Sequence, residues 1–363
     1  MDFSSWFALY LNFGKTPVQK IEISLQQTNI IKGLAIIAVV LLHILAYPRG
    51  IYHGGWQIFF VGLDQLARFC VPAFIMLSGY GLAFKAQKDG TIGNYWSYLK
   101  NRLGKLLPLY LLWSFSSILI VKSVPAWSFG NQPSSLIVQL LLGQADYQLY
   151  FLPVIFQLYA LFPLIWRYQH KIGSVLLLAW LIQIGLYAFY NLQISHSDRY
   201  EYVFALSWIG YFVLGIYLKL ASLPKLLLRL APWLTLAIFA YLSLTVSAQI
   251  RAGLDPLPAL KFTKLLIIPF TILFNLTLLQ INFGKPILAK ALAWLGQNSY
   301  LIFLAHTIAL RFIYALLTDQ LSPSQFFGTL LLYLATLYLH QQLSTKNPKP
   351  QLQIPEKFAT IKT

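Results

Sequence analysis

A few polar side chains stand in stretches otherwise built of leucine, isoleucine, valine and phenylalanine, and their types suit proton transfer. His43 closes the run "IIKGLAIIAVVLLH", eleven residues after Lys32. Imidazole titrates near ~6.5, so it can take a proton from a hydroxyl close to neutral pH. Asp64 and Arg68, in "LDQLARFCVPAFIMLSGYGLAF", are four residues apart and share one helix face. A carboxylate beside an imidazole makes an oriented general base, and a guanidinium can stabilise an oxyanion. The same two residues can equally form a self-neutralising ion pair. A third stretch, "WLGQNSYLIFLAH", carries Asn298, Ser299, Tyr300 and His306. Groups of this kind also hydrogen-bond one membrane helix to another. Lys100, Arg102 and Lys105 form a basic run just before "LLPLYLLW". Such a run either marks topology or binds phosphate.

Helical rise turns these positions into depths. Lys32 and His43 lie about 16 Å apart along an axis, which puts Lys32 at one end and His43 beyond the midplane. Counting back from the next turn, Asp64 reaches the level of His43, with Arg68 about 6 Å nearer the Lys32 side. His306 lies about 12 Å beyond Asn298 and so is expected shallower than His43. The sequence thus predicts His43, Asp64 and Arg68 around one interior cavity.

The elements that must hold these residues follow from composition. Of 363 residues, 58% are hydrophobic and 10% charged, with a mean hydropathy of +0.64. A soluble domain carries roughly 25% charged residues. So few charges cannot cover a water-facing surface, and lipid must cover most of it. The expected fold is an all-α integral membrane bundle of about ten transmembrane helices. They fall near 30–48, 58–83, 106–124, 148–166, 172–190, 203–221, 229–249, 261–281, 297–317 and 325–343. Residues 1–29 read as an N-terminal cytoplasmic or interfacial segment, 30–343 as the membrane domain and 344–363 as a disordered cytoplasmic tail. Segments around 90–105 and 134–143 read as interfacial.

The net charge of +17 does not point to nucleic acid, because the basic residues are scattered in short runs between apolar stretches. With both termini inside, 18 Lys and Arg fall on the cytoplasmic side and six outside. That asymmetry predicts a multi-pass protein of the cell membrane, with 84–105 cytoplasmic and 122–147 and 191–202 external. The single cysteine, Cys70, leaves no internal disulfide, and no zinc, P-loop or dinucleotide pattern is present, so no metal is expected.

Several segments together resemble the membrane acyltransferase-3 family. "NIIKGLAIIAVVLLH" is similar to its first-helix motif, a basic residue followed eleven positions later by His. "FCVPAFIMLSGYGLAF" matches the second helix at Pro72, Phe74, Ser78, Gly79 and Tyr80. "YLKNRLGKLLPLYLLW" matches the basic entry to the third at Arg102, Lys105, Pro108 and Tyr110. "LYFLPVIFQLYALFPL" matches at Leu152, Gln157, Tyr159 and Pro163, and "WLGQNSYLIFLAH" at Leu295, Gly296, Ser299, Tyr300 and His306. The resemblance implies transfer of an acetyl or other short acyl group from cytoplasmic acyl-CoA, acetyl-CoA above all, to a hydroxyl. The acceptor would be an extracytoplasmic carbohydrate or glycolipid, and His43 the catalytic residue.

On that footing Lys32, Arg102 and Lys105 are expected to hold the CoA phosphates. Ser78, Gly79, Asn298, Ser299, Tyr300 and His306 would line the path of the pantetheine arm, with Asp64 and Arg68 assisting His43. Direct transfer and a two-step route through an acyl-imidazole both remain open. The rival class is a transporter or flippase, which also places ionisable groups at the midplane. No inverted repeat or paired broken helices favours it.

Overall fold

The computed structural model describes residues 17–46, 56–90, 92–123, 135–192, 200–254, 260–283 and 286–317. The expected tenth span, 325–343, and the tail 344–363 lie outside them.

The first helix, α1 (Leu25–Ala46), begins five residues before the apolar run. Its start is fixed by a capping box. Ser24 Oγ accepts the Gln27 N–H, and Gln27 Oε1 accepts the Ser24 N–H, each at 3.1 Å. These bonds satisfy amides that a helix end leaves open. The second expected span is broken into α2 (Gln57–Ala67) and α3 (Cys70–Asp89). Pro72 explains the break: a proline ring clashes with the carbonyl four residues back, here that of Arg68. Gly90, at φ +74°, ends α3 in a left-handed cap.

After α4 (Tyr95–Ser123), a short helix α5 (Leu136–Leu141) and a series of turns lead to α6 (Phe151–Arg167). Then come α7 (Ile172–Leu192), one turn α8 (Tyr200–Val203), α9 (Ile209–Leu220), α10 (Lys225–Arg251) and α11 (Ile267–Gln280). The last two are α12 (Pro286–Gln297) and α13 (Ser299–Leu317), bent by 78° at Asn298.

By length and apolarity, four described helical stretches can cross a membrane: 25–45, 57–89, 169–191 and 225–251. The bent pair α12–α13 makes a fifth. Shorter apolar helices cover 151–167, 205–220 and 267–280. The protein is therefore a helical membrane protein. Helices α7 and α10 present Leu177, Leu178, Leu181, Trp233 and Leu236 outward, as lipid-facing helices do.

The interior packs α1, α3, α6 and α9 around Ile31, Ile75, Leu158 and Phe212. Helix α1 lies against α12 at backbone contact. A Cβ on Gly33 would sit 2.0 Å from the Leu292 carbonyl oxygen, and one on Gly296 would sit 1.8 Å from that of Asn29. Small residues are what allow membrane helices to approach so closely. One piece was not expected as a strand. Val18–Lys20 (β1) pairs antiparallel with Ser222–Pro224 (β2), Gln19 opposite Leu223. The segment before α1 is thus tied to the start of α10, and the Ile23 N–H donates to Tyr80 Oη at 2.9 Å.

Candidate active site

Helix α1 delivers His43 to a small group of rings. Its imidazole lies 4.6 Å, centroid to centroid, from the Tyr147 ring in an edge-on arrangement, and 4.9 Å from the imidazole of His306. The two histidines, placed from sequence about 16 Å and about 12 Å from the cytoplasmic ends of their helices, thus meet in space.

His306 is buried and anchored on its own helix. Its Nδ1 lies 2.7 Å from the Phe303 carbonyl oxygen and 3.2 Å from that of Ile302. A carbonyl can only accept, so Nδ1 carries the proton and Nε2 is left with its lone pair. Nε2 is buried, with no hydrogen-bond partner among the described residues.

Tyr147 is brought to His43 by the turns after α5. At the end of the segment 122–147, expected from sequence to be an external loop, Ala145 and Asp146 are buried, as are Gln148 and Leu149 in the span expected to follow. Asp146 explains why. Arg311, on α13, donates to both of its carboxylate oxygens, Nη1 to Oδ2 at 2.8 Å and Nη2 to Oδ1 at 2.7 Å. Thr307 Oγ1 donates to Oδ2 at 3.0 Å, and Gln148 Nε2 donates to Thr307 Oγ1 at 2.7 Å. The Tyr147 N–H adds a fifth bond, to Asp146 Oδ1, at 2.8 Å. Hydrogen bonds of this kind offset part of the cost of burying an ion pair. The Arg311 guanidinium also stands 5.4 Å over the Tyr147 ring and acts electrostatically on both histidines.

Asp64 and Arg68 pair with each other. Arg68 Nε donates to Asp64 Oδ1 at 2.6 Å, both buried, and the guanidinium lies 4.6 Å over the Phe262 ring. The break at Arg68 and Phe69 turns this pair toward Phe262.

One comparison with known proteins gives a match. A family model described as an acyltransferase domain covers residues 26–340. The chain belongs to the acyltransferase-3 family. No curated protein and no solved structure matches it. As an acyltransferase-3 protein it is a membrane acyltransferase.

The other acyltransferase-3 motif residues are distributed as follows. Lys32 is half-buried on α1, eleven residues before His43. Arg102 lies 5.9 Å from the Tyr98 ring, and the Tyr98 hydroxyl donates to the Tyr159 carbonyl at 3.2 Å. Ser78 sits beside the Tyr159 hydroxyl and donates to the Phe74 carbonyl at 2.8 Å. Lys105, just before the expected span, is held below the usual lysine range by partial desolvation and then by the positive charges of Arg102 and Lys85. Three cations so close attract an anion.

Tyr300 donates to the Leu106 carbonyl at 2.7 Å, which ties α13 to α4 one residue from Lys105. Ser299 is buried beside it, and Asn298 caps its own helix through the Trp294 carbonyl at 2.9 Å. Gly79 has a packing task, since a Cβ there would lie 2.1 Å from the Phe212 carbonyl oxygen.

Sequence reasoning passed over Asp146, Tyr147, Thr307 and Arg311 as site residues. Arg311 carried a usable signal, because a charge inside an apolar helix marks function or a buried partner. Asp146 carried none, lying in what reads as a loop.

Proposed function

We propose that this protein transfers an acetyl or other short acyl group from acyl-CoA on the cytoplasmic side to a hydroxyl of a carbohydrate or glycolipid on the other side. His43 serves as base or acyl carrier. The observation that carries this reading is the ring contact of half-buried His43 with buried His306 in an acyltransferase-3 chain. Two imidazoles in contact inside an apolar bundle have a costly environment with no packing advantage over leucine, and proton transfer is the chemistry they suit.

In this reading the bundle has about ten spans, both termini are cytoplasmic and the membrane is the cell membrane, as the charge asymmetry favours. The donor binds with its phosphates near Lys32, Arg102 and Lys105. Its pantetheine arm runs past Ser78, Tyr159 and Tyr300 toward the histidines. Lys and Arg suit phosphate as charge and as hydrogen-bond donors. Arg311, held near both imidazoles, takes the electrostatic part that sequence reasoning gave to Arg68. A developing thioester oxyanion is stabilised by a cation fixed beforehand in a dry site.

The experiment is thiol release from acetyl-CoA by purified protein. A transporter would leave the thioester intact. Comparing surface glycans from cells with and without the gene, for a lost acyl mass, then identifies the acceptor. Intact acetyl-CoA, with folded protein and cell extract as acceptor source, would contradict the reading.

A further inference from the structure

Resting on that acyl-CoA reading, we propose that His306 is a second catalytic residue. It is the proton acceptor of the reaction, which leaves His43 to carry the acyl group. Three observations support the division. His306 is 5% exposed, so its open Nε2 has no bulk water to serve it. Its Nδ1 is committed to the Phe303 carbonyl, so the tautomer is fixed and Nε2 points away from α13. His43 is in ring contact at 4.9 Å, tilted by 33°, which places the two imidazoles around one reacting centre.

The rest of the helix supports this role. Thr307 and Arg311, on the turns following His306, are fastened to Asp146 by three hydrogen bonds. Bonds from two successive turns fix the rotation of α13, and with it the direction of the His306 ring. Buried Gln148, which bonds Thr307, belongs to the same clamp.

The steps balance. A His43 ring nitrogen attacks the thioester carbonyl, an N–C bond forms and the C–S bond breaks. The proton lost from the His43 imidazole passes to the departing thiolate, releasing CoA thiol. In the second step the acceptor oxygen attacks the acyl-imidazole carbonyl and its proton goes to His306 Nε2. The C–N bond breaks and that proton returns to His43. A donor from one side and an acceptor from the other then never need occupy the site together.

The test uses full-length protein in detergent, with radiolabelled acetyl-CoA and water or hydroxylamine as acceptor. Hydroxylamine attacks an acyl-imidazole without help from a base. Wild type, His43→Ala, His306→Gln and His306→Asn are compared, each checked for folding by its thermal midpoint. Expected is label retained on both His306 variants and absent from His43→Ala. Thiol release with water falls on the order of 100-fold or more in the His306 variants, and hydroxylamine restores it there but not in His43→Ala.

A merely structural role for His306 would not give rescue by a small nucleophile. Near wild-type thiol release in the folded His306 variants would overturn the proposal, and so would lost release without retained label. If wild type itself releases no thiol, the acyl-CoA reading fails and this proposal fails with it. The other two outcomes leave that reading in place.

Discussion

Arg311 grips Asp146 through two hydrogen bonds of 2.8 and 2.7 Å, across 165 residues of sequence and away from water. The grip pulls the turns after α5 into the bundle and seats Tyr147 against His43.

Breaking that pair on one side leaves a buried charge alone. Asp146→Asn or Arg311→Leu is expected to lower stability by about 3–5 kcal/mol. Replacing both residues by leucine and methionine should cost less than either single change, because no charge is then stranded. Thermal midpoints of the three variants in one detergent check this. A double variant less stable than both singles would contradict it.

The glycine contact between α1 and α12 makes a sharper packing prediction. Gly296→Ala would drive a methyl into the Asn29 carbonyl, so its thermal midpoint should fall clearly. Gly185→Ala, on α7 with open space around it, should be neutral or slightly stabilising, since alanine favours helix by about 1 kcal/mol. Equal midpoints for the two would mean that α1 and α12 do not approach as described.

Donor binding is expected to depend on charge at Lys32, Arg102 and Lys105. Alanine at any of the three should raise the KM for acetyl-CoA and leave the rate at saturation largely intact, while Lys32→Arg should be tolerated. Steady-state kinetics at two salt concentrations test this. An unchanged KM in Lys32→Ala would remove Lys32 from the donor site.

Topology is open to direct labelling. Cys70 is buried, so an impermeant thiol reagent should report only added cysteines. A cysteine at Ser197 should label in intact cells and one at Lys88 only after the membrane is opened. Labelling at Lys88 in intact cells would reverse the orientation.

What the sequence disclosed, and what it hid, follows the range of the interactions. Some local signals were present but unused: the Ser24–Gln27 box that starts α1 and Pro72, which breaks α2 from α3, are each written within a few residues, yet the expected spans start at 30 and run unbroken over 58–83. The Lys32–His43 spacing was legible. The approach of His306 to His43 was not, because it depends on how α1 and α13, more than 250 residues apart in sequence, pack together. Nor was the pairing of Asp146 with Arg311, since a hydropathy scan sees one polar residue in a loop and one cation in a helix. The i,i+4 spacing of Asp64 and Arg68 correctly gave a pair, Arg68 Nε lying 2.6 Å from Asp64 Oδ1.

The central claim is that acyl transfer passes through His43. The measurement is turnover of acetyl-CoA by wild type and His43→Ala, at equal amounts of folded protein. The account predicts a fall on the order of 10²–10⁴-fold, or more if His43 carries the acyl group, with the thermal midpoint little changed. Turnover near the wild-type rate in folded His43→Ala would contradict it.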